Sequence, residues 1–286
     1  MNKAVIRKIE EQLGETFNVV SGVGGGSIAD SSIIETASGK RYFLKTGFSG
    51  TMFLNEANGL KELRKPAYIT VPEVIAADRE FLILELIIPG RRQNDFHTSF
   101  GRQFADLHKY TAKNYGFYED NFIGATPQIN TPSGSEKEDW TQFYFNKRLM
   151  FQLRLTEKNG YATAELRNAF DIVEKNIDKI LKGSEEAPSL LHGDLWSGNY
   201  ITGNNGEPVL IDPAVYYGHR EADLAMTYLF GGFSEDFYRA YNDAYPLKDG
   251  WEHRLNIYKL YHVLNHLNLF GMGYYSQAVR LMEYYK

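Results

Sequence analysis

Two carboxylates and an amide set the chemistry this sequence could do. In Leu191-His192-Gly193-Asp194-Leu195-Trp196-Ser197-Gly198-Asn199, the Asp and the Asn stand five residues apart. In Val209-Leu210-Ile211-Asp212-Pro213, a second Asp ends a strand-like run. A carboxylate can accept a proton from a hydroxyl, and a carboxylate with an amide oxygen can hold Mg2+, a hard cation that takes oxygen ligands. Transfer of a phosphoryl group to an alcohol needs all three functions together. Asp194 then reads as the base, and Asn199 and Asp212 as the metal ligands. A turn rich in Gly, Asn and Asp for conformational reasons explains one such residue easily but the ordered set poorly.

The spacing of Asp194 and Asn199 equals that of the Asp and Asn in the protein-kinase catalytic loop. Two features of the N-terminal third agree with it. Ser21-Gly22-Val23-Gly24-Gly25-Gly26-Ser27 is a glycine run that lets backbone N–H groups approach phosphate oxygens. By itself it reads equally as a flexible hairpin tip, and it is not a Walker A loop, because no Gly-Lys-Ser/Thr follows. Lys45 lies on the strand after that run, opposite in facing to Leu44. A strand lysine usually reaches for solvent. Glu56, however, shares a helix face with Phe53, Leu60 and Leu63 and needs a cation there, and Lys45 is the nearest candidate. A strand Lys paired with a helix Glu beneath a glycine loop holds the α- and β-phosphates of ATP in kinases. A solvated Glu at a helix edge is the alternative. Trp196, two residues past the base, suits stacking on a sugar face or packing in the core. His192 reads as a loop-shaping residue. His262 and His266 are four apart on a helix, but no third zinc ligand is evident.

The elements that must position these residues divide into two lobes. Ile6, Ile9 and Leu13 recur at helical spacing before Gly14. Strand-like runs cover 28–36 and 41–46, a helix covers about 51–65, and a second strand pair covers 71–77 and 81–88. Pro89-Gly90 marks the boundary. This gives an N-lobe over 1–88, a small sheet with one helix that binds ATP, and a C-lobe over 89–286. The C-lobe is mainly helical, with stripes at Phe100, Phe104 and Leu107, at Leu166 to Leu181, and from Trp251 to about Phe270. A β-like island spans 190–211, and 126–135 reads as a loop. The expected fold class is α+β, two-lobed and protein-kinase-like, with the active site in the cleft, where ligands usually sit.

Composition narrows the function classes. The chain has 286 residues, enough for two lobes with cores. Zero cysteines remove disulfides, thiolate metal sites and a cysteine nucleophile. A net charge of -5 argues against nucleic-acid binding through a basic face. The N-terminus is too charged for a signal-peptide core, and the longest apolar run, 81–88, is broken by Glu85. A cytoplasmic protein without membrane or nucleic-acid partners is expected, with oligomeric state left open and a monomer allowed.

The motifs resemble those of the fructosamine kinase (ketosamine-3-kinase) family, in the aminoglycoside-phosphotransferase-like branch of the protein-kinase-like fold. They are His192-Gly193-Asp194-Leu195-Trp196-Ser197-Gly198-Asn199, then Asp212-Pro213-Ala214 running into Tyr216-Tyr217-Gly218-His219-Arg220-Glu221-Ala222-Asp223. Gly24-Gly25-Gly26, Lys45, Glu56, Asn121-Phe122-Ile123-Gly124, Thr126-Pro127-Gln128 and Gln152-Leu153-Arg154-Leu155 extend the likeness along essentially the whole chain. The resemblance implies ATP-dependent phosphorylation of the sugar 3-hydroxyl of a ketosamine, free or on a glycated protein lysine, and hence deglycation. It implies ATP and Mg2+ as cofactors, with Gly24, Gly25, Gly26, Ser27, Lys45 and Glu56 at the nucleotide. Glu85 to Ile87 would be the hinge that meets adenine through backbone groups. Trp196 and His266 would face the sugar, Glu221 would border metal and substrate, and Asp223 would anchor the loop. Many relatives carry Cys where this chain has Ser27, so thiol-based control there is excluded. Kinases of other small alcohols (an aminoglycoside, choline or homoserine) and a non-catalytic nucleotide-binding scaffold remain alternatives.

Overall fold

Alternation in Arg41-Tyr42-Phe43-Leu44-Lys45-Thr46 builds the strand on which the N-terminal chemistry depends. A computed structural model describes residues 1–24, 29–48 and 50–286, and its backbone divides into two compact units. The first comprises Met1–Phe96 and Asn199–Pro213; the second comprises His97–Gly198 and Ala214–Lys286. Sequence placed the division at Pro89-Gly90. In the structure 89–96 and 199–213 stay with the first unit. The physical reason is close packing: a Cβ at Gly90 would lie 2.4 Å from the Gly203 carbonyl oxygen.

The first unit begins with α1 (Lys3–Leu13), capped by Asn2 through its side chain and closed by left-handed Gly14. Strands β1 (Phe17–Val23), β2 (Asp30–Thr36) and β3 (Arg41–Thr46) precede α2 (Met52–Arg64), which is followed by β4 (Val74–Ala77) and β5 (Leu82–Glu85). They form one antiparallel sheet in the order β1-β2-β3-β5-β4. On one face Ile34, Leu44, Phe81 and Ile83 bury against Val5 and Ile9 of α1. The other face turns Lys45 the opposite way, beside Leu82 in register on β5. A short hairpin, Tyr200–Thr202 with Pro208–Leu210, joins this unit, and Val209 bridges Thr70.

The second unit is helical. Its elements include α3 (Phe96–His108), α4 (Trp140–Tyr144), α5 (Phe151–Lys158), α6 (Ala164–Leu181), α7 (Arg220–Leu229), α8 (Glu235–Ala244), α9 (Trp251–Phe270) and α10 (Tyr275–Glu283). Helix α9 touches α5, α6, α7 and α10 and buries residues around most of its circumference, as a central helix does. Between α4 and α5, Phe145–Met150 widen into a π-helix, a form that often marks functional sites. Strand Ser189–Leu191 pairs with Tyr216–Gly218 and delivers the His192 loop. Residues Asn121–Ile123 pair with Thr126–Gln128 as a hairpin, so the start of the expected 126–135 loop is a strand instead. No helix among the described residues is long and apolar enough to cross a membrane.

Candidate active site

In the first unit, Lys45 is almost fully covered and donates to two carboxylates. Its Nζ lies 2.7 Å from Glu56 Oε1 and 2.5 Å from Asp212 Oδ1. The pairing with Glu56, read from two periodicities in the sequence, is present. Phe53, Leu60 and Leu63 on the same helix are buried, so Glu56 rides the packed face of α2, with only 15% of its side chain exposed. Burial alone would lower the Lys45 pKa. The charges of Glu56 and Asp212 outweigh it and hold the ammonium protonated above its ordinary range. Glu56 moves up, because burial and the second carboxylate together exceed the pull of one ammonium. One ammonium thus serves two carboxyl groups.

Asp212 adopts φ +53°, a left-handed conformation shared among non-glycine described residues only with Ala67. It precedes Pro213, where the chain ordinarily runs extended, and such a conformation costs about 1–3 kcal/mol. The turn leaves the Asp212 side chain 45% exposed while one oxygen rests on Lys45. Asn199 sits beside it at the head of the short hairpin. Its carbonyl accepts from the Ile211 N–H at 3.0 Å, and its amide nitrogen is 3.5 Å from the Asp212 carbonyl. A half-exposed carboxylate and a neighbouring amide, beside an ammonium shared between two carboxyl groups, form a hard-oxygen donor set that fits Mg2+.

Gly24 is exposed, with open space where a Cβ would stand. Gly25, Gly26 and Ser27 lie outside the described residues. Glu85 closes β5, its N–H donating to the Glu73 carbonyl and its carboxylate accepting from the Glu73 N–H. Ile87 follows the strand, half-buried.

In the second unit the loop before Asp194 is gripped from below. The N–H groups of His192 and Gly193 donate to the two oxygens of Asp223 at 2.6 and 2.7 Å. His108 Nε2 completes the shell at 3.2 Å, and the Tyr241 hydroxyl meets His108 Nδ1 at 2.7 Å. Burial would raise the Asp223 pKa; hydrogen bonds from His108 and the loop outweigh it and keep the group ionised. Burial likewise dominates at His108, pushing it down and leaving a neutral ring that donates to Asp223. Asp194 itself is half-buried, and its N–H donates to His192 Nδ1 at 3.3 Å.

A second clamp acts through Ala214. Its N–H donates to the His192 carbonyl at 2.8 Å, and its own carbonyl accepts from Gln128 Nε2 at 2.9 Å. Gly193, at φ +84°, must be glycine, since a Cβ would fall 2.0 Å from the Ala214 oxygen. Gln128 also donates to Asn121 Oδ1 and accepts from the Tyr261 hydroxyl, while Asn121 Nδ2 holds the Val215 carbonyl. Arg148, fully buried in the π-helix, donates to Asn130 Oδ1 and the Ile129 carbonyl and lies 4.0 Å from the Tyr216 ring centroid. This network gives the Asn121 and Gln128 motifs a physical role. Arg148, His108 and Tyr261 went unmarked in the sequence. Their signal would have been a polar residue set at helical spacing within an apolar stripe.

Trp196 is 39% exposed, with its ring lying over Gly198, where a Cβ would come within 2.3 Å of it. Its ring meets Phe230 edge-on, and Phe230 leads to His266 at a centroid distance of 4.9 Å. The structure thus links the two residues expected at the sugar through a third that sequence missed. His266 Nδ1 lies 2.7 Å from the His262 carbonyl, so that nitrogen carries the proton and Nε2 remains an acceptor. Burial lowers its pKa and favours the neutral ring. Glu221, expected at metal and substrate, lies inside the fold of this unit. It is 1% exposed, and both carboxylate oxygens receive the Arg254 guanidinium at 2.6 and 2.8 Å. That bidentate pair commits Glu221 to fixing α7 on α9.

Chemically, the first unit offers an oxygen ligand set beside a trapped ammonium. The second offers a rigidly mounted carboxylate near an uncharged aromatic surface.

Known proteins resemble this chain over its whole length. The family model described as fructosamine kinase matches residues 1–286. A protein-ribulosamine 3-kinase, chloroplastic, of Oryza sativa subsp. indica is 40% identical over 275 residues, covering 93% of this chain and 78% of that protein. A crystal structure described as a fructosamine-3-kinase from Thermobifida fusca superposes with a TM-score of 0.87 at 31% identity, covering 100% of this chain and 99% of the other. An ADP-bound aminoglycoside phosphotransferase shares the fold alone, with a TM-score of 0.66 at 14% identity over 99% of this chain and 98% of the other. The α+β architecture is therefore that of the aminoglycoside-phosphotransferase and kinase-like proteins.

Proposed function

Because the chain belongs to the fructosamine kinase family, we propose that it uses ATP to phosphorylate the sugar 3-hydroxyl of a ketosamine, free or carried on a protein lysine. The phosphorylated adduct then sheds its sugar, so the net result is deglycation. Residues 1–88 with 199–213 handle the nucleotide and metal, and the remainder handles the sugar.

Lys45 and the backbone of Gly24, Gly25, Gly26 and Ser27 hold the nucleotide phosphates, while Glu56 keeps the ammonium aimed. Glu85 and Ile87 present backbone groups to adenine. Asn199 and Asp212 would hold Mg2+, which neutralises charge on the transferring phosphoryl group. Asp194 orients the hydroxyl and takes its proton. Its loop, fixed by Asp223 and Ala214, keeps that carboxylate in place so that positioning lowers the barrier. Trp196 lies along the sugar and His266 Nε2 accepts from one of its hydroxyls. Glu221 acts from inside the fold through Arg254.

The observation that carries this reading is the Lys45 ammonium shared between Glu56 and Asp212. A bound Mg2+ would offset the second carboxylate through Asp212 and Asn199, leaving Lys45 free to pair with a phosphate oxygen. The test is ATP-dependent phosphorylation of ribulosyl-lysine and fructosyl-lysine, run beside an aminoglycoside acceptor. Phosphate should appear on the ketosamine. Transfer to the aminoglycoside alone, or nucleotide binding with no turnover across the ketosamines, would defeat the proposal.

A further inference from the structure

Beyond Trp196 and His266 the aromatic surface of the second unit continues. His266 lies 5.4 Å from the Phe270 ring and 5.1 Å from the Tyr274 ring, and Phe270 lies 6.3 Å from Tyr274. Phe230 is 40% exposed and Phe270 60%. A lone exposed ring is ordinary; a connected run of them is a binding surface in waiting. The run is also free of formal charge along its own segments: 195–198, 224–234 and 260–279 contain no Asp, Glu, Lys or Arg.

That absence discriminates among acceptors. A polycation such as an aminoglycoside is bound through carboxylates, which these segments lack. A ketosamine joins a neutral polyhydroxylated sugar to one secondary ammonium bearing a carbon chain. Ring faces attract a single ammonium through their quadrupole and bury methylenes without any counter-charge. The neutral His266 ring does not repel that ammonium.

We infer that Phe230, Phe270 and Tyr274 form a subsite for the amine half of the ketosamine, with the secondary ammonium against Phe230 and His266 and the carbon chain along Phe270 and Tyr274. The subsite rests on the ketosamine-kinase reading and extends it: chain length on the nitrogen becomes a determinant of specificity. Acceptors carrying a lysine-like stem are then preferred to those carrying a methyl group.

The experiment compares kcat/KM for ribulosyl-lysine and ribulosyl-methylamine in the parent and in Phe270→Ala. Phe270 is surface-exposed at the end of α9, so the variant should fold with an unchanged thermal midpoint. Its preference for the lysine-borne substrate should fall roughly tenfold, through KM, since loss of apolar contact in a pocket is worth about that factor. Phe230→Leu, which keeps apolar bulk but removes the ring face, should reduce the preference for ribulosyl-lysine over its uncharged N-acetylated counterpart. Equal losses on both substrates, losses on neither, or a change in sedimentation instead of selectivity would overturn the subsite alone. A parent protein inactive on every ketosamine would remove the kinase reading and the subsite together.

Discussion

Around Lys45 one ammonium faces two carboxylates, whereas around Asp194 a single buried carboxylate, Asp223, faces two backbone N–H groups and a neutral imidazole. In the first, two carboxylates share a single donor; in the second, one carboxylate has three. The contrast separates two tasks. A region that is to hold a metal ion keeps carboxylate oxygens in excess of its own cations, which Mg2+ would take up. A region that must only hold a carboxylate at a fixed place satisfies every donor around its anchor, because an unpaired buried group costs about 1–3 kcal/mol.

The contrast can be broken hardest at Asp194. Asp194→Ala should lower kcat by about 10²–10⁴-fold, the usual worth of a general base, with a thermal midpoint close to the parent's. Turnover near the parental rate would remove Asp194 from the chemistry. Lys45→Met should come next, lowering kcat/KM for ATP by about 10²-fold and also destabilising the fold, since Glu56 then faces Asp212 without a cation. Adding Glu56→Gln to that variant should restore much of the stability in a denaturation assay but none of the ATP use. If both recover together, the cluster is structural only.

Asp223→Asn probes the second side of the contrast. It should cost about 3 kcal/mol in chemical denaturation, because an amide cannot accept from every donor that now surrounds the carboxylate. The Asp223 pKa lies below its unfolded value, so its contribution is whole above about pH 4 and is lost as pH falls further. The smallest effect belongs to the buried imidazoles. Burial lowers His108, His219 and His262, the last to about 3. Below the unfolded value of about 6.5 the unfolded chain binds protons that the folded one refuses, so stability falls with pH. Each ring should contribute about 1 kcal/mol of loss between pH 7.5 and 6, read as a falling thermal midpoint. A midpoint flat across that window would show these rings to be protonated in the fold.

What could be read from the sequence was what local periodicity controls. Lys45 and Glu56 are eleven residues apart, and the repeats of one strand and one helix are enough to bring them to a common side. The fold class and its first sheet followed from the same alternation. Strand β1 escaped because nearly all of it is exposed, leaving no buried alternation to see. Thr126–Gln128 escaped because three residues with a central proline carry almost no strand signal. The pairing of Glu221 escaped because Arg254 lies 33 residues away on another helix, and His108 meets Asp223 across 115 residues. Partners at such separations leave no trace in spacing. Only the folded packing reveals which carboxylates already have a cation.

The left-handed backbone at position 212 limits which replacements are informative there. Glycine, asparagine and aspartate tolerate such a φ readily, and of these only aspartate is anionic. A saturation library at this codon should therefore sort into two groups. Asparagine keeps the chain's path and deletes the charge, so its phenotype reports on the carboxylate's pairing with Lys45 and any bound cation, without a change in the bend. Alanine or glutamate also perturbs the bend into Pro213, and their phenotypes mix geometry with electrostatics.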